Sequence, residues 1–242
     1  MERVVYDQMA QLDDHHWWYR ARRKVLAALI ERMTDLPKRA RILEIGCGTG
    51  HNLRMLSQFG RVDALELDEE ARNIAEKRLG HHVMRAPLPE IVEVPDRAYH
   101  LIGAFDVIEH IDEDRAALQS IATKLKSGGT FIMTVPAHDW MWSAHDVVNH
   151  HKRRYSKRGL RKLIDESPLR LEKIGYFNSL LFPLAVAERL SSKLRGSEGG
   201  DIKLPPAPLN KALEQAFASE RHVIGRLPLP PGLSLFAVGS AT

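Results

Sequence analysis

A carboxylate followed by alternating glycines occupies the segment Glu44 to Gly50, whose sequence is EIGCGTG. Glycine lets the backbone turn sharply and approach a ligand where any Cβ would collide. Dinucleotide-binding loops instead use the spacing G-x-G-x-x-G to bring a pyrophosphate to a helix N-terminus. The spacing here is G-x-G-x-G, and the Glu44 carboxylate would repel a pyrophosphate. The segment therefore predicts a site for a cationic ligand.

A second carboxylate, Glu66, comes sixteen positions after Gly50 and ends the next apolar segment, VDALELD. An acid at this place can accept hydrogen bonds from both hydroxyls of a ribose. The glycine loop and Glu66 together predict that the cationic ligand contains adenosine. The alternative is a glycine-rich turn flanked by two surface acids.

Further along the chain, polar side chains follow two other apolar segments. Asp106, Glu109 and His110 come after the first of them. We expect them at the edge where the bound ligand should end, with His110 as a candidate catalytic group. An alternative is that Asp106 or Asp112 caps the next helix and that His110 is satisfied on the surface of that helix.

The aromatic and His-rich segment PAHDWMWSAHDVVNHHKRRY follows the second apolar segment. Imidazole titrates near neutrality, so His145 or His150 could act as a base that Asp146 orients. The alternative is that these histidines are solvated and that Asp146 caps a turn. No group of ligands here has a defined metal-binding spacing, and we expect no metal.

Seven Lys or Arg and no acid lie between His150 and Lys162. Arginine binds phosphate or carboxylate in a bidentate manner, so this run could hold an anionic substrate. The alternative is a solvated helix face. The predicted substrate-binding residues are Glu109, Trp142, Arg153, Arg154 and Tyr155.

The elements that carry these residues alternate between apolar strands and amphipathic helices. Such alternation predicts an α/β protein with a Rossmann-like, seven-stranded, mostly parallel sheet and helices on both faces. We expect an N-terminal helical lid or extension at 1–36, a core at 37–178, and a helical insertion with the last strand at 179–242. Ligands of such sheets bind at the carboxyl ends of the strands.

The segment 41–135 resembles the core of class I S-adenosylmethionine-dependent methyltransferases. The resemblance rests on the glycine motif, the acid Glu66, and the segments FDVIEHI and LKSGGTFIMTVP. It implies that Glu44 and the glycine loop hold the methionine part, that Glu66 holds the ribose, and that Leu67 lies beside the adenine. Arg85 departs from the family pattern, which leaves the adenine-amine contact open. The implied cofactor-binding residues are Glu44, Gly46, Cys47, Gly48, Gly50, Glu66, Leu67 and Asp106.

The segment after Val135, the opening HHWWYRARR and the segment NSLLFPLAVAERL resemble a type 11/12-like bacterial subgroup of these enzymes. Members of that subgroup are often found with enzymes that build surface polysaccharides or lipid-linked intermediates. The resemblance implies a small-molecule, lipid-linked or saccharide-linked acceptor, methylated at oxygen, with peripheral membrane contact as a further expectation. The alternatives are a nicotinamide-dependent oxidoreductase and a non-enzymatic nucleic-acid-binding module.

The composition is that of an ordinary globular protein, with 44% hydrophobic and 27% charged residues among 242. A net charge of +4 is too small to predict a nucleic-acid partner. Cys47 is the only cysteine, which excludes an intramolecular disulfide and favours a reducing compartment. We see no export signal in the first residues and expect a cytoplasmic protein.

Overall fold

The computed structural model describes residues 3–195 and 204–241, and most of the Gly- and Pro-rich linker at 196–208 lies outside them. The strands are β1 (Arg41–Ile45), β2 (Arg61–Leu65), β3 (Tyr99–Phe105), β4 (Leu125–Pro136), β5 (Leu169–Phe177) and β6 (Ser234–Ala241). The α-helices are α1 (Arg3–Leu12), α2 (Trp17–Met33), α3 (Leu53–Leu56), α4 (Glu69–Leu79), α5 (Asp114–Lys124), α6 (Ala144–Val148), α7 (Lys157–Asp165), α8 (Phe182–Arg195) and α9 (Ala207–Ser219).

The strands form one sheet in the order β2-β1-β3-β4-β6-β5. Strand β1 pairs in parallel with β2 and β3, and β3 pairs in parallel with β4. Strand β6 runs antiparallel to both β4 and β5. Four of the five residues of β1 are buried, as expected for an interior parallel strand covered on both faces. The predicted mixed α/β, Rossmann-like fold is confirmed.

The described residues form six strands rather than the predicted seven. Between α4 and β3, Met84 makes only an isolated parallel bridge with Leu65. Two backbone hydrogen bonds hold it, from Met84 N to Ala64 O at 2.9 Å and from Glu66 N to Met84 O at 3.1 Å. Prolines at 87, 89 and 95 follow, and proline cannot donate to a sheet ladder. The pairing therefore ends after one residue.

Helices cover both faces of the sheet because successive strand residues point to opposite sides. Ile42 and Leu101 are buried in the cluster that contains α2, α3 and α9. Leu43 and Ile102 are buried in the cluster that contains α5 and α7. In the N-terminal sequence, apolar residues recur at helical spacing at Val25, Leu26, Leu29 and Ile30. All four are buried, so α2 packs as a core helix.

The carboxyl ends of β1, β3 and β4 meet at one edge of the sheet, where the turns after them carry the predicted site residues. Helix α1 and the first turn of α2 lie against this edge from one side, and α8 lies against it from the other. None of the helices in the described ranges combines the length and the apolar character needed to cross a bilayer.

Candidate active site

A cavity of about 720 Å³ occupies this edge of the sheet. Its glycine-loop end is lined by Gly46, Gly48, Glu66 and Leu67. Its histidine end is lined by Glu109, His110, His145, His151 and Arg154. Asp106 and Val107 line the wall between the two ends. The two groups of residues that the sequence assigns to different ligands therefore face one continuous space.

The glycines of the loop are required for different reasons. Gly48 has a φ of +55°, and a Cβ there would lie 3.3 Å from the Met9 sulfur on the cavity side. Gly50 has a φ of +85°, and a Cβ there would lie 2.7 Å from Leu53 Cδ1 and 3.1 Å from the Ala75 backbone. Gly48 thus leaves room for a ligand, whereas Gly50 permits close packing against α4.

The two oxygens of the Glu66 carboxylate accept hydrogen bonds from different segments of the chain. Oε2 accepts a hydrogen bond from the Gly48 N–H at 2.8 Å, and Oε1 accepts one from the Asp68 N–H at 2.9 Å. The Tyr6 hydroxyl donates to Oε1 at 3.5 Å. Burial raises the pKa of Glu66 despite these hydrogen bonds. Glu66 fixes the loop conformation, and its Oε2 retains accepting capacity because a carboxylate oxygen has two lone pairs, whereas Oε1 already accepts two hydrogen bonds.

Two residues that the resemblance assigns to the cofactor lie beneath the loop rather than on the cavity wall. Cys47 is 1% exposed, and burial raises the pKa of its thiol. Glu44 is also 1% exposed, and its Oε1 accepts a hydrogen bond from Asn52 Nδ2 at 2.8 Å. Its Oε2 has no partner among the described residues. Burial raises the pKa of Glu44 to about 8.

The substitution Glu44→Gln should change how protein stability depends on pH. Because the folded-state pKa is raised, the native chain holds a proton that the unfolded chain has lost, and the free energy of unfolding falls as pH rises between about 4.3 and 8. The maximal slope for one proton is about 1.4 kcal/mol per pH unit. Gln lacks this titration and keeps an oxygen for Asn52. Urea unfolding at about pH 5.5 and pH 7.5 measures the effect.

We expect the Gln variant to gain stability relative to the wild type as pH rises, by about 1–3 kcal/mol between these two pH values. The substitution Glu76→Gln is the control, because Glu76 is surface-exposed and its pKa is lowered by the Val83 N–H. A difference between wild type and Glu44→Gln that does not vary with pH would contradict a raised pKa at this position.

Helix α1 covers the glycine-loop end of the cavity through Val5, Tyr6 and Met9. The turn after it is anchored by Asp13, which is fully buried and pairs with Arg78 of α4. Thr49 of the glycine loop also donates to the Asp13 carboxylate, at 3.5 Å. The role of this segment as a lid and the division of the chain at residue 36 both stay predictions.

Asp106, which the sequence assigns to the cofactor, is held by a buried cation that the sequence analysis did not identify. Arg22 of α2 is 1% exposed, and its Nη1 lies 2.6 Å from Asp106 Oδ2. Thr134 of β4 donates to Asp106 Oδ1 at 3.1 Å and accepts from Arg22 Nη2. Asp106 adopts a positive φ of 59° at the cavity wall. The three side chains lock α2 to the ends of β3 and β4.

The histidine end contains an unusual buried acid. Glu109 is fully buried in the short 3-10 helix Ile108–His110, and neither of its carboxyl oxygens has a partner among the described residues. Burial, and then the charge of Asp106, raise the pKa of Glu109 well above its ordinary value. Burial and then His151 lower the pKa of His110 to about 4. Desolvation and then His151 also lower the pKa of His145.

Asp146 has structural partners that differ from those expected of a residue that orients a base at His145 or His150. Its carboxylate is fully buried and accepts from Arg154 Nε at 2.8 Å and Nη2 at 3.0 Å. His151 Nδ1 donates to its Oδ1 at 2.9 Å. Burial opposes ionisation, but the hydrogen bonds from His151 and Arg154 hold the pKa of Asp146 well below its usual range. The histidine that Asp146 orients is therefore His151.

Four further predicted site residues do not line the cavity. Arg153 Nη1 pairs with Asp114 at the start of α5, at 2.8 Å, and the Tyr155 hydroxyl donates to the same carboxylate at 2.9 Å. Trp142 and His150 are exposed and also lie outside the cavity lining. Arg153 and Tyr155 share Asp114 as their partner, whereas Arg154 is paired with Asp146. An anion site formed by Arg153, Arg154 and Tyr155 therefore stays a prediction.

The cavity lining also includes residues outside the predicted set of site residues. His51 lines the glycine-loop end, and burial lowers its pKa to about 3. Leu184 and Arg189 of α8 line the histidine end. Trp18 lines the wall and its ring lies 4.9 Å from the Arg22 guanidinium carbon. The apolar, helix-forming sequence of α8 predicted an element, but no local signal placed it at the cavity.

The glycine-loop end fits a cofactor that carries a cationic amino-acid part and an adenosine. Glu44 Oε2 and His51 Nδ1 are buried polar atoms without a partner in the described part of the chain. Gly48 leaves the space that any side chain would fill, and Leu67, which is 48% exposed, offers an apolar surface. The Rossmann-like sheet with this loop at the end of β1 defines the class I methyltransferase architecture.

The model of a methyltransferase domain matches residues 17–177, and the chain belongs to this family. A Mycobacterium tuberculosis protein named a probable S-adenosylmethionine-dependent methyltransferase is 30% identical over 137 residues, which is 56% of this chain and 47% of that protein. A ubiquinone biosynthesis O-methyltransferase of Bradyrhizobium is 29% identical over 45% of this chain and 44% of its own length. The chain spans about half the length of the curated relatives it matches.

Solved structures agree at the level of the fold. A chain from the complex of the Haloferax volcanii Trm112 methyltransferase activator with a methyltransferase has a TM-score of 0.61 and 18% identity, covering 98% of this chain and 97% of its own. Haemonchus contortus phosphoethanolamine N-methyltransferase 2, in complex with S-adenosyl-L-methionine, has a TM-score of 0.58 and 16% identity, covering 88% of this chain and 51% of its own. The predicted enzyme class and its cofactor, S-adenosylmethionine, are confirmed.

Proposed function

We propose that the protein transfers a methyl group from S-adenosylmethionine to an oxygen atom of a small-molecule, lipid-linked or saccharide-linked acceptor. The observation that carries this proposal is the single cavity that joins the glycine loop to the histidine end. A donor on the loop and an acceptor beside the histidines would be held in one space, and such positioning supplies much of the acceleration in a displacement reaction.

At the glycine-loop end, Gly48 admits the cofactor, the Glu66 carboxylate accepts from the ribose hydroxyls, and Leu67 packs against the adenine. Glu44 lies beneath the loop, where a cationic group bound above it would favour the ionised form of its carboxyl group. When bound, S-adenosylmethionine supplies an electrophilic methyl group on a sulfonium. Helix α1 excludes water from this end through Tyr6 and Met9.

At the histidine end, His145 is the proposed base. Its lowered pKa keeps the imidazole neutral at physiological pH, so it can accept a proton from an acceptor hydroxyl. The proton moves to a ring nitrogen of His145 as the oxygen forms its bond to the methyl carbon and the carbon–sulfur bond breaks. Asn149 Nδ2 donates to the His145 carbonyl at 2.7 Å and holds this turn of α6 in place.

The acceptor is proposed to carry an apolar portion and an anionic group. Leu181, just before α8, and Leu184 and Ala185 of α8 line the histidine end beside Arg189. Leu184 is 60% exposed and Leu180, just before the helix, is 55% exposed, so an apolar surface continues from the cavity to the outside. This surface supports a lipid-linked acceptor and the peripheral membrane contact that such an acceptor requires.

We expect calorimetry to detect S-adenosylmethionine bound in the micromolar range. We also expect an isotopic label in the methyl group of S-adenosylmethionine to be transferred to a component of a bacterial extract, and mass spectrometry should identify the product.

The substitution His145→Gln should reduce this transfer at least tenfold with unchanged cofactor affinity, since a general base contributes about 10²-fold or more. The neighbouring His150→Asn is the control, because His150 lies outside the cavity lining and Asn tolerates its positive φ of 56°.

Equal transfer by wild type and His145→Gln would remove His145 as the base. Binding of a nicotinamide dinucleotide without binding of S-adenosylmethionine would favour an oxidoreductase. Binding of generic DNA with a steep dependence on salt would favour a nucleic-acid-binding module. Either of the last two outcomes would overturn the proposed activity.

A further inference from the structure

Three potential metal ligands meet at the histidine end of the cavity. One ligand atom from each of Glu109, His110 and His151 lies within 4.8 Å of the other two. Glu109 and His110 belong to the turn after β3, whereas His151 belongs to the segment after α6. The Lys152 N–H, next to His151, donates to the Glu109 carbonyl at 2.8 Å and joins these two segments. The cluster is therefore built by backbone pairing between segments some forty residues apart.

The Glu109 carboxylate gives an independent indication of a ligand. It is fully buried, lines the cavity, and both of its oxygens lack a hydrogen-bond partner among the described residues. An unpaired buried carboxyl group costs free energy, and proteins satisfy such groups by hydrogen bonds, by ion pairs or by metal coordination. Arg154, the cation on the same wall, is already engaged by Asp146. A bound cation would satisfy Glu109.

The orientation of His151 also matches that of a metal ligand. Its Nδ1 donates to Asp146 Oδ1 at 2.9 Å, which leaves Nε2 as the ring atom with a free lone pair. Metal-bound histidines commonly donate their other N–H to a carboxylate in this manner, which fixes the tautomer and the ring orientation. Asp146 is itself fixed by Arg154 and by the Ser143 N–H.

We propose that Glu109, His110 and His151 bind one divalent transition-metal ion at the histidine end of the cavity. Two imidazoles and one carboxylate favour ions such as Zn²⁺, Fe²⁺ or Co²⁺ over Mg²⁺ and Ca²⁺, which prefer all-oxygen sites. A point exists within about 2.8 Å of all three ligand atoms, so shifts of less than about 1 Å bring each to the usual 2.0–2.2 Å from an ion. All three residues line the cavity, so coordination positions left open on the ion would be accessible from it.

The inference extends the proposed function, on which its catalytic role rests. An acceptor oxygen bound to the ion would be polarised, and the pKa of its hydroxyl would fall. His145, whose ring centroid lies 6.2 Å from that of His151, would then receive the proton. Glu109 would act as a metal ligand, and Asp146 would act as a positioning residue for His151.

The test uses the full chain treated with a chelator and dialysed, then titrated with Co²⁺ alone. Calorimetry should give one ion per chain, and the visible absorption of Co²⁺ should report nitrogen ligation. The variants Glu109→Gln and His151→Asn should weaken Co²⁺ binding at least tenfold, the scale seen when groups of a metal site are lost. The variant His150→Asn is the matched control and should bind as the wild type does. Circular dichroism and S-adenosylmethionine binding verify that each variant is folded.

Failure of the wild type to bind Co²⁺ would overturn the metal site, as would binding that persists unchanged in folded Glu109→Gln and His151→Asn. If S-adenosylmethionine binds and the metal does not, only the metal site fails. If Co²⁺ binds as expected but S-adenosylmethionine does not, the proposed function fails and the metal site stands. Methyl transfer that the chelator abolishes and Co²⁺ or Zn²⁺ restores would support both.

Discussion

Replacing Gly48 by valine should abolish binding of S-adenosylmethionine while leaving the fold intact. Gly48 faces the cavity with a φ of +55°, and a Cβ there would already approach the Met9 sulfur to 3.3 Å. The two methyl groups of valine would occupy the space left for the cofactor. We expect affinity to fall more than about 100-fold, together with a cost in stability of about 1–3 kcal/mol from the positive φ.

The control is Gly80→Val, which separates backbone strain from obstruction. Gly80 ends α4 with a φ of +80°, and a Cβ there would meet nothing within 4 Å. Both variants should lose comparable stability in urea unfolding, whereas only Gly48→Val should lose cofactor affinity in calorimetry. Normal binding by a folded Gly48→Val variant would remove the loop from the cofactor site.

Replacing Arg22 by methionine should lower the free energy of unfolding by about 3 kcal/mol. Arg22 is 1% exposed and is the cationic partner of Asp106, so its loss leaves a largely buried carboxylate without its counter-charge. Removing one member of a buried ion pair typically costs about 3–5 kcal/mol, and the partial exposure of Asp106, 28%, places the effect near the lower limit. Methionine retains an unbranched chain to fill the space.

The matched variant is Arg20→Met, on the same helix. Arg20 pairs with Glu214 at 3.0 Å but is 44% exposed, and Lys24 also pairs with Glu214. Glu214 is buried but keeps Lys24 as its partner when Arg20 is lost, so this variant should unfold close to the wild-type midpoint. An equal loss of unfolding free energy in the two variants would mean that the buried partners of Arg22 do not account for its contribution to stability.

The sequence by itself determined the elements and the cofactor loop. The helix at Asp114–Lys124 and the carboxyl-terminal glycine of α4, Gly80, follow from local signals, namely apolar periodicity and the left-handed conformation that glycine permits. The loop at 44–50 could also be recognised, because its chemistry lies within a few consecutive residues. The number of strands was not determined in this way, because the prolines after Met84 limit its pairing with Leu65 to an isolated bridge.

Only the tertiary structure decided which polar side chains share a site. The basic residues after His150 are alike in the sequence, since all carry a positive charge. In the structure, however, Arg153 pairs with Asp114 and Arg154 pairs with Asp146. Each pairing joins segments brought together by the sheet and by the packing of helices on it, and no spacing along the chain encodes it.

The same reason explains why Arg22, more than eighty residues from Asp106, was not foreseen. It also explains why the proximity of Glu109 and His151 at the histidine end could not be predicted from the sequence. Local sequence fixes backbone conformation within a few residues, whereas the partner of a buried charge is set by which distant groups share its low-dielectric surroundings.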